Sequence, residues 1–293
     1  MLPRPSLSRR SRGLRGALSI LLLLGAVSAP AHAQAPARKA LETLNVLNVL
    51  FIGNSYTAAN NLAELVAAIA GTQPGSPALV PTLALRGGAT LDWHALYGPA
   101  PGALLASGLN AVVLQEQSLL GAGDIGGDDG GGPTHVAVAD PAAFHAAVRG
   151  LVKRIRARGA TPMLLMTWAR RDWPEDLEKL ESAYMSIGRE LRVKVAPVGT
   201  AWAEAQKRLP GLDLYARDGA HPNGEGSYLA ACVIAATLTG RDPRGASSTI
   251  TGHFVDRRSG EVDLGQTITL VEINPQTAAQ LQAIAWETVS RKP

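Results

Sequence analysis

Val46-Leu47-Asn48-Val49-Leu50-Phe51-Ile52-Gly53-Asn54-Ser55-Tyr56-Thr57 is the stretch that decides the fold. Residues 46–52 form an apolar, β-branched run of strand length, and the Gly directly after it lets the chain turn sharply. Ser55 then stands at the C-terminal edge of a sheet, where open α/β sheets bind their ligands. A serine hydroxyl is a weak nucleophile until a base takes its proton and a further group orients that base. Asp218-Gly219-Ala220-His221-Pro222-Asn223 carries a carboxylate and an imidazole three positions apart. A turn entering a helix brings side chains at that spacing toward one place.

The strand signal repeats outward from this stretch. Leu79–Leu85, Ala111–Leu114, Thr161–Thr167 and Val193–Val198 are further strand candidates, and helical patterns separate them. Asn60-Asn61 caps a helix to Ala70, and another passes through Trp93 and Leu96. Asp140-Pro141 opens a helix to Arg158 with Phe144, Val148, Leu151, Val152 and Ile155 on one face. Asp176–Leu191 and Gly199–Arg208 follow, and Pro222 marks where a helix through Gly226–Thr239 begins. Strands alternating with helices predict an α/β fold with a five-stranded, doubly wound parallel sheet and right-handed crossovers. Beyond residue 240 the character changes. Thr249–Phe254 and Thr267–Val271 read as strands, and Asn274-Pro275 caps a last helix, giving a small C-terminal addition over 241–293.

The N-terminus reads as a separate segment. Arginines at 9, 10, 12 and 15 precede the apolar run Ala17–Val27 and the small-x-small pattern Ala31-His32-Ala33, which is the layout of a secretory signal over 1–33. Residues 34–44 form a leader, and 45–240 the main domain. The apolar run is too short and alanine-rich for a transmembrane helix, so no stable membrane insertion is expected after signal removal. The expected location is periplasmic or secreted, by the Sec or the twin-arginine route. Removing the signal's five arginines takes the formal charge from +4 to −1, which leaves no reason to invoke nucleic acid. The single cysteine, Cys232, lies in an apolar run and reads as a buried small hydrophobe.

Gly121–Pro133 holds seven glycines and three aspartates without periodicity and reads as a long loop whose spacing does not match an EF-hand. His94, His135, His145 and His253 are scattered without ligand spacing, and read as surface or half-buried imidazoles. Glu116 reads as an exposed strand-end carboxylate, Trp93 as a packing aromatic, and Arg170-Arg171-Asp172 as a solvated charge cluster. No metal or other cofactor is expected.

Four blocks in order resemble the SGNH (GDSL) hydrolases: Gly53-Asn54-Ser55, Gly88-Ala89-Thr90, the polar strand end Gln115-Glu116-Gln117-Ser118, and Asp218 to Asn223. The resemblance covers about residues 46–240. The Gly-Asn-Ser-Tyr-Thr start and the Leu-Gln-x-x-Ser strand end look like an uncharacterised secreted bacterial branch. It implies a flavodoxin-like three-layer α/β/α sandwich, a Ser/His/Asp site and no metal. Carried over, Ser55 is the nucleophile, His221 the general base and then acid, and Asp218 the orienting carboxylate. The N–H groups of Ser55 and Gly88 donate to the oxyanion. The family's usual Gly-x-Asn-Asp is missing from the third block, so either Gln115 or Gln117 takes the place of the third donor, Gln115 being the first choice. Asn54 replaces the more usual Asp of the motif. Asn54 and Trp168 are candidate substrate-pocket residues.

The expected activity is ester cleavage through an acyl-enzyme, on a small-molecule or carbohydrate ester with a short acyl group. The alternatives are a non-catalytic carbohydrate- or partner-binding protein on this fold, and acyl transfer to a sugar hydroxyl.

Overall fold

The computed structural model describes residues 46–120 and 138–291; the expected signal, the leader, the Gly121–Pro133 loop and His135 lie outside them. A parallel sheet carries β1 (Val46–Gly53), β2 (Ala78–Leu85), β3 (Ala111–Gln115), β4 (Thr161–Leu165) and β5 (Lys194–Ala196) in the order β2-β1-β3-β4-β5. All four pairings are parallel, and Ile52 on β1 lies opposite both Ala84 on β2 and Leu114 on β3. The strand order reverses between β1 and β3, and the carboxyl ends at such a switch point leave a crevice outside the sheet. Gly53 ends one of those strands and Gln115 the other.

The apolar run of β1 is explained by burial on both faces. Val49 and Phe51 face one core with α2 (Leu62–Gly71), α7 (Val198–Arg208), α8 (Gly224–Thr239) and α9 (Pro275–Ser290). Leu50 and Ile52 face the other with α3 (Leu91–Leu96), α5 (Ala142–Ala157) and α6 (Asp176–Leu191). The short helices α1 (Ser55–Ala58) and α4 (Ala100–Ala103) complete the set. Burying a side chain of the size of Val49 or Phe51 contributes about 1.5–3 kcal/mol before entropy is counted. α8 is apolar nearly all round because it is covered by the sheet side and by α9. Cys232 is on it, fully buried, and burial raises its thiol pKa.

Pro222 does not open α8. It pairs with Tyr215 in an isolated bridge, and Asn223 caps the helix by accepting the Gly226 N–H at 2.9 Å.

The C-terminal addition is an antiparallel hairpin, β6 (Thr249–Val255) and β7 (Val262–Glu272), followed by α9. Glu64 on α2 accepts the His253 N–H at 2.8 Å and pairs with His253 Nδ1 at 2.9 Å, while Asn61 Nδ2 donates to His253 O at 2.9 Å. The hairpin's turn reaches the loop after β2, where the Gly87 N–H donates to Arg258 O at 2.9 Å. Among the described residues, no helix is long and apolar enough to cross a membrane.

Candidate active site

Ser55 opens α1 at the end of β1. Asn54 caps that helix by accepting the Tyr56 N–H at 3.1 Å, and its Nδ2 donates to Ala89 O at 3.0 Å, which ties the loop after β2 to the serine turn. Gly88, in that loop, has φ +68, a left-handed conformation natural to glycine. The N–H groups of Ser55 and Gly88 donate to nothing among the described residues. Two uncommitted backbone donors therefore flank the crevice.

The Asp218–His221 turn explains how so short a spacing works. Asp218 Oδ1 accepts the N–H groups of Ala220 and His221, each at 2.9 Å, which leaves Oδ2 2.5 Å from His221 Nδ1. The other ring nitrogen, Nε2, lies 2.8 Å from Ser55 Oγ. One carboxylate thus folds the turn and meets the imidazole. Burial raises the Asp218 pKa, but the Ala220 N–H and the ring and N–H of His221 outweigh it, and the carboxyl is held below its ordinary value.

No protein-family model and no curated protein matches the sequence. Solved structures do. A protein of Slackia heliotrinireducens inferred to be an SGNH hydrolase is similar at 25% identity and a TM-score of 0.53, over 66% of this chain and 99% of that one. The chain has the SGNH-hydrolase fold. A DUF4886 family protein from Bacteroides uniformis shares this fold at 19% identity and a TM-score of 0.56, over 83% of this chain and 95% of that one. An acetyl xylan esterase does so at 16% identity and a TM-score of 0.51, over 64% and 98%.

Within this SGNH fold the third block behaves differently from the expectation. Gln115 is not free to face an oxyanion. Its Oε1 accepts the Asn54 N–H at 3.0 Å and the Thr57 hydroxyl at 2.8 Å, and its Nε2 donates to Asn54 Oδ1 at 3.0 Å and to Glu116 O at 2.5 Å. Both amide hydrogens are used, so the side chain braces the serine turn from beneath. Gln117 Oε1 accepts the Leu119 N–H at 2.6 Å, which leaves its Nε2 as the uncommitted amide of that strand end among the described residues.

Glu116 is buried, not exposed. Its two oxygens accept the N–H groups of Leu91 at 3.0 Å and Gln117 at 2.6 Å. Burial pushes its pKa up to about 8 against those two donors. It links the end of β3 to Leu91, the first residue of α3, just after the loop that carries Gly88. His94 is also wholly buried. Its Nε2–H donates to Gly53 O at 2.7 Å, and burial lowers its pKa, so it is a neutral strut under the same turn.

The two candidate pocket residues are buried among the described residues. Asn54 is buried and spent on the bonds described above. Trp168 is buried in a stack, 4.8 Å from the Tyr56 ring and 4.2 Å from the Trp202 ring, and its Nε1 donates to Ala220 O at 3.0 Å. It supports the histidine turn from behind. Tyr56 completes that wall, its ring packed edge-on against the His221 ring with centroids 5.1 Å apart. Arg171 is less a free charge than a clamp: its N–H donates to Gly219 O at 2.8 Å and its guanidinium pairs with Asp213 at 2.8 Å.

Sequence reasoning missed Tyr56, His94 and the bracing role of Gln115. A signal for the last was present, since polar side chains directly after a fully apolar strand need partners when buried.

Proposed function

We propose that this protein is an exported serine hydrolase that cleaves ester bonds through an acyl-enzyme. The single observation that carries the reading is the continuous line Ser55 Oγ, His221, Asp218, with separations of 2.8 and 2.5 Å. That geometry is what nucleophile activation requires, independent of fold.

Asp218 accepts the Nδ1 proton of His221, which leaves Nε2 with a lone pair toward Ser55. As Ser55 Oγ attacks the ester carbonyl, its proton passes to Nε2, and a tetrahedral oxyanion forms. The N–H groups of Ser55 and Gly88 donate to that oxygen; one such preorganised donor is typically worth about 3 kcal/mol of transition-state stabilisation. Gln117 Nε2 is the side-chain donor still available to join them. Collapse expels the alcohol, which takes the proton from Nε2, and leaves Ser55 acylated. Water then repeats the sequence, with His221 as base and then acid, and releases the carboxylic acid.

The substrate favoured is a short acyl group on a carbohydrate or other small alcohol, and the location is the periplasm or outside, on the signal-like layout of residues 1–33. The test is turnover of p-nitrophenyl acetate by the mature protein and labelling by a fluorophosphonate. Ser55→Ala is expected to lower kcat by about 10⁴-fold or more with thermal unfolding nearly unchanged. Wild-type protein that neither turns over esters nor labels at Ser55 overturns the reading.

A further inference from the structure

A cavity of about 360 Å³ lies between the nucleophile helix, the histidine turn and the C-terminal hairpin. Its lining includes Ala58, which ends α1, Asn60, Pro222, which directly follows His221, and Phe254, Arg257 and Thr269 of the hairpin segment. Its lining thus comes from the helix that Ser55 opens and from the residue next to His221, and much of it lies outside the five-stranded core.

Its chemistry is mixed. Phe254 is 49% exposed on the hairpin, which makes it an aromatic face without a cover. Asn60 Nδ2 is pinned to Asn223 O at 3.1 Å and Ser227 Oγ at 2.8 Å, so the amide is fixed while its Oδ1 has no partner among the described residues. The Thr269 hydroxyl and the Arg257 guanidinium likewise have none among the described residues. Asn60 and Asn61 both adopt left-handed backbone, φ 51 and 44, just beyond Ala59, which caps the nucleophile helix. Two consecutive non-glycine residues in that region are sterically costly, and such strain concentrates where a site must hold a fixed shape. Here it sets Asn60 into the cavity wall.

A pocket for a long acyl chain is apolar throughout, whereas polar groups set beside an aromatic face suit a ring that carries hydroxyls. We infer that this cavity binds a sugar ring on the alcohol side of the ester, with Phe254 as its stacking face and Asn60, Thr269 and Arg257 as its polar contacts. The inference rests on the hydrolase reading above and assigns substrate selection to the C-terminal hairpin.

The experiment compares wild type, Phe254→Ala and Thr269→Val on methyl 6-O-acetyl-glucopyranoside, p-nitrophenyl acetate and p-nitrophenyl octanoate. Each variant is expected to raise KM for the acetylated pyranoside about tenfold with kcat little changed, so that its kcat/KM relative to p-nitrophenyl acetate falls by the same factor. Thr269→Val keeps the side-chain shape and guards against a folding artefact of the larger truncation. An unchanged ratio in both variants, with the wild type active on p-nitrophenyl acetate, overturns the sugar assignment alone. A selective loss on the octanoate would make the cavity an acyl pocket and also overturn it. A wild type inactive on all three esters overturns the hydrolase reading and this one with it.

Discussion

The Gln115 and Asn54 side chains hold each other: Gln115 Nε2 donates to Asn54 Oδ1 at 3.0 Å, and Gln115 Oε1 accepts the Asn54 backbone N–H at 3.0 Å. The end of β3 is thereby fastened to the end of β1, one residue before the serine. Gln115→Ala would leave the Asn54 N–H and the Thr57 hydroxyl buried without an acceptor, at about 1–3 kcal/mol for each. The expected result is a clear fall in the denaturant midpoint together with a loss of turnover. A donor to the oxyanion would behave otherwise, with kcat falling and stability barely moving, and that outcome would reject the bracing role.

Glu116 predicts a pH dependence of stability. Burial raises its pKa from the ordinary 4.5 to about 8, so the folded state retains across that interval a proton that the unfolded chain releases. The stability contributed by this group is therefore fully present below its unfolded pKa and is lost as pH rises through the folded one. Glu116→Gln removes the titration. Between about pH 5 and about pH 8 the unfolding free energy of the wild type should fall relative to that of the variant by on the order of 3 kcal/mol. Parallel curves over that range would show that Glu116 ionises normally.

Gly87 predicts that the hairpin and the Gly88 loop are mechanically joined. A methyl group there would sit 2.8 Å from Arg257 O and 3.1 Å from Arg258 Cα, and both neighbours are backbone. Gly87→Ala should push the loop and hairpin apart, costing roughly 1–3 kcal/mol of stability and slowing ester turnover. Gly102→Ala, where an added methyl meets nothing within 4 Å, is the control. Equal behaviour of the two variants would deny the coupling.

The sequence by itself determined the sheet, its parallel sense and the place of Ser55. A run such as Val46–Ile52 can be satisfied only by burial, and a Gly at its end forces the turn at the sheet's edge. The joint presence of Asp218 and His221 was legible too, because their contact is local and closed by a turn whose own N–H groups Asp218 accepts.

Only the tertiary structure decided what the polar strand end does. Gln115, Glu116 and His94 bond to partners 61, 25 and 41 positions away along the chain, and no local pattern specifies such partners. Burial follows from what packs above a side chain, so Glu116, read as an exposed strand-end carboxylate, and Trp168, read as a pocket residue, are both buried. The same holds for the hairpin, whose strands were readable but whose docking on Gly87 was not, since one backbone hydrogen bond across the fold leaves no trace in sequence. Ser55 and His221 stand 166 positions apart and are joined at 2.8 Å because β1 and the turn before α8 end at one edge of the same sheet.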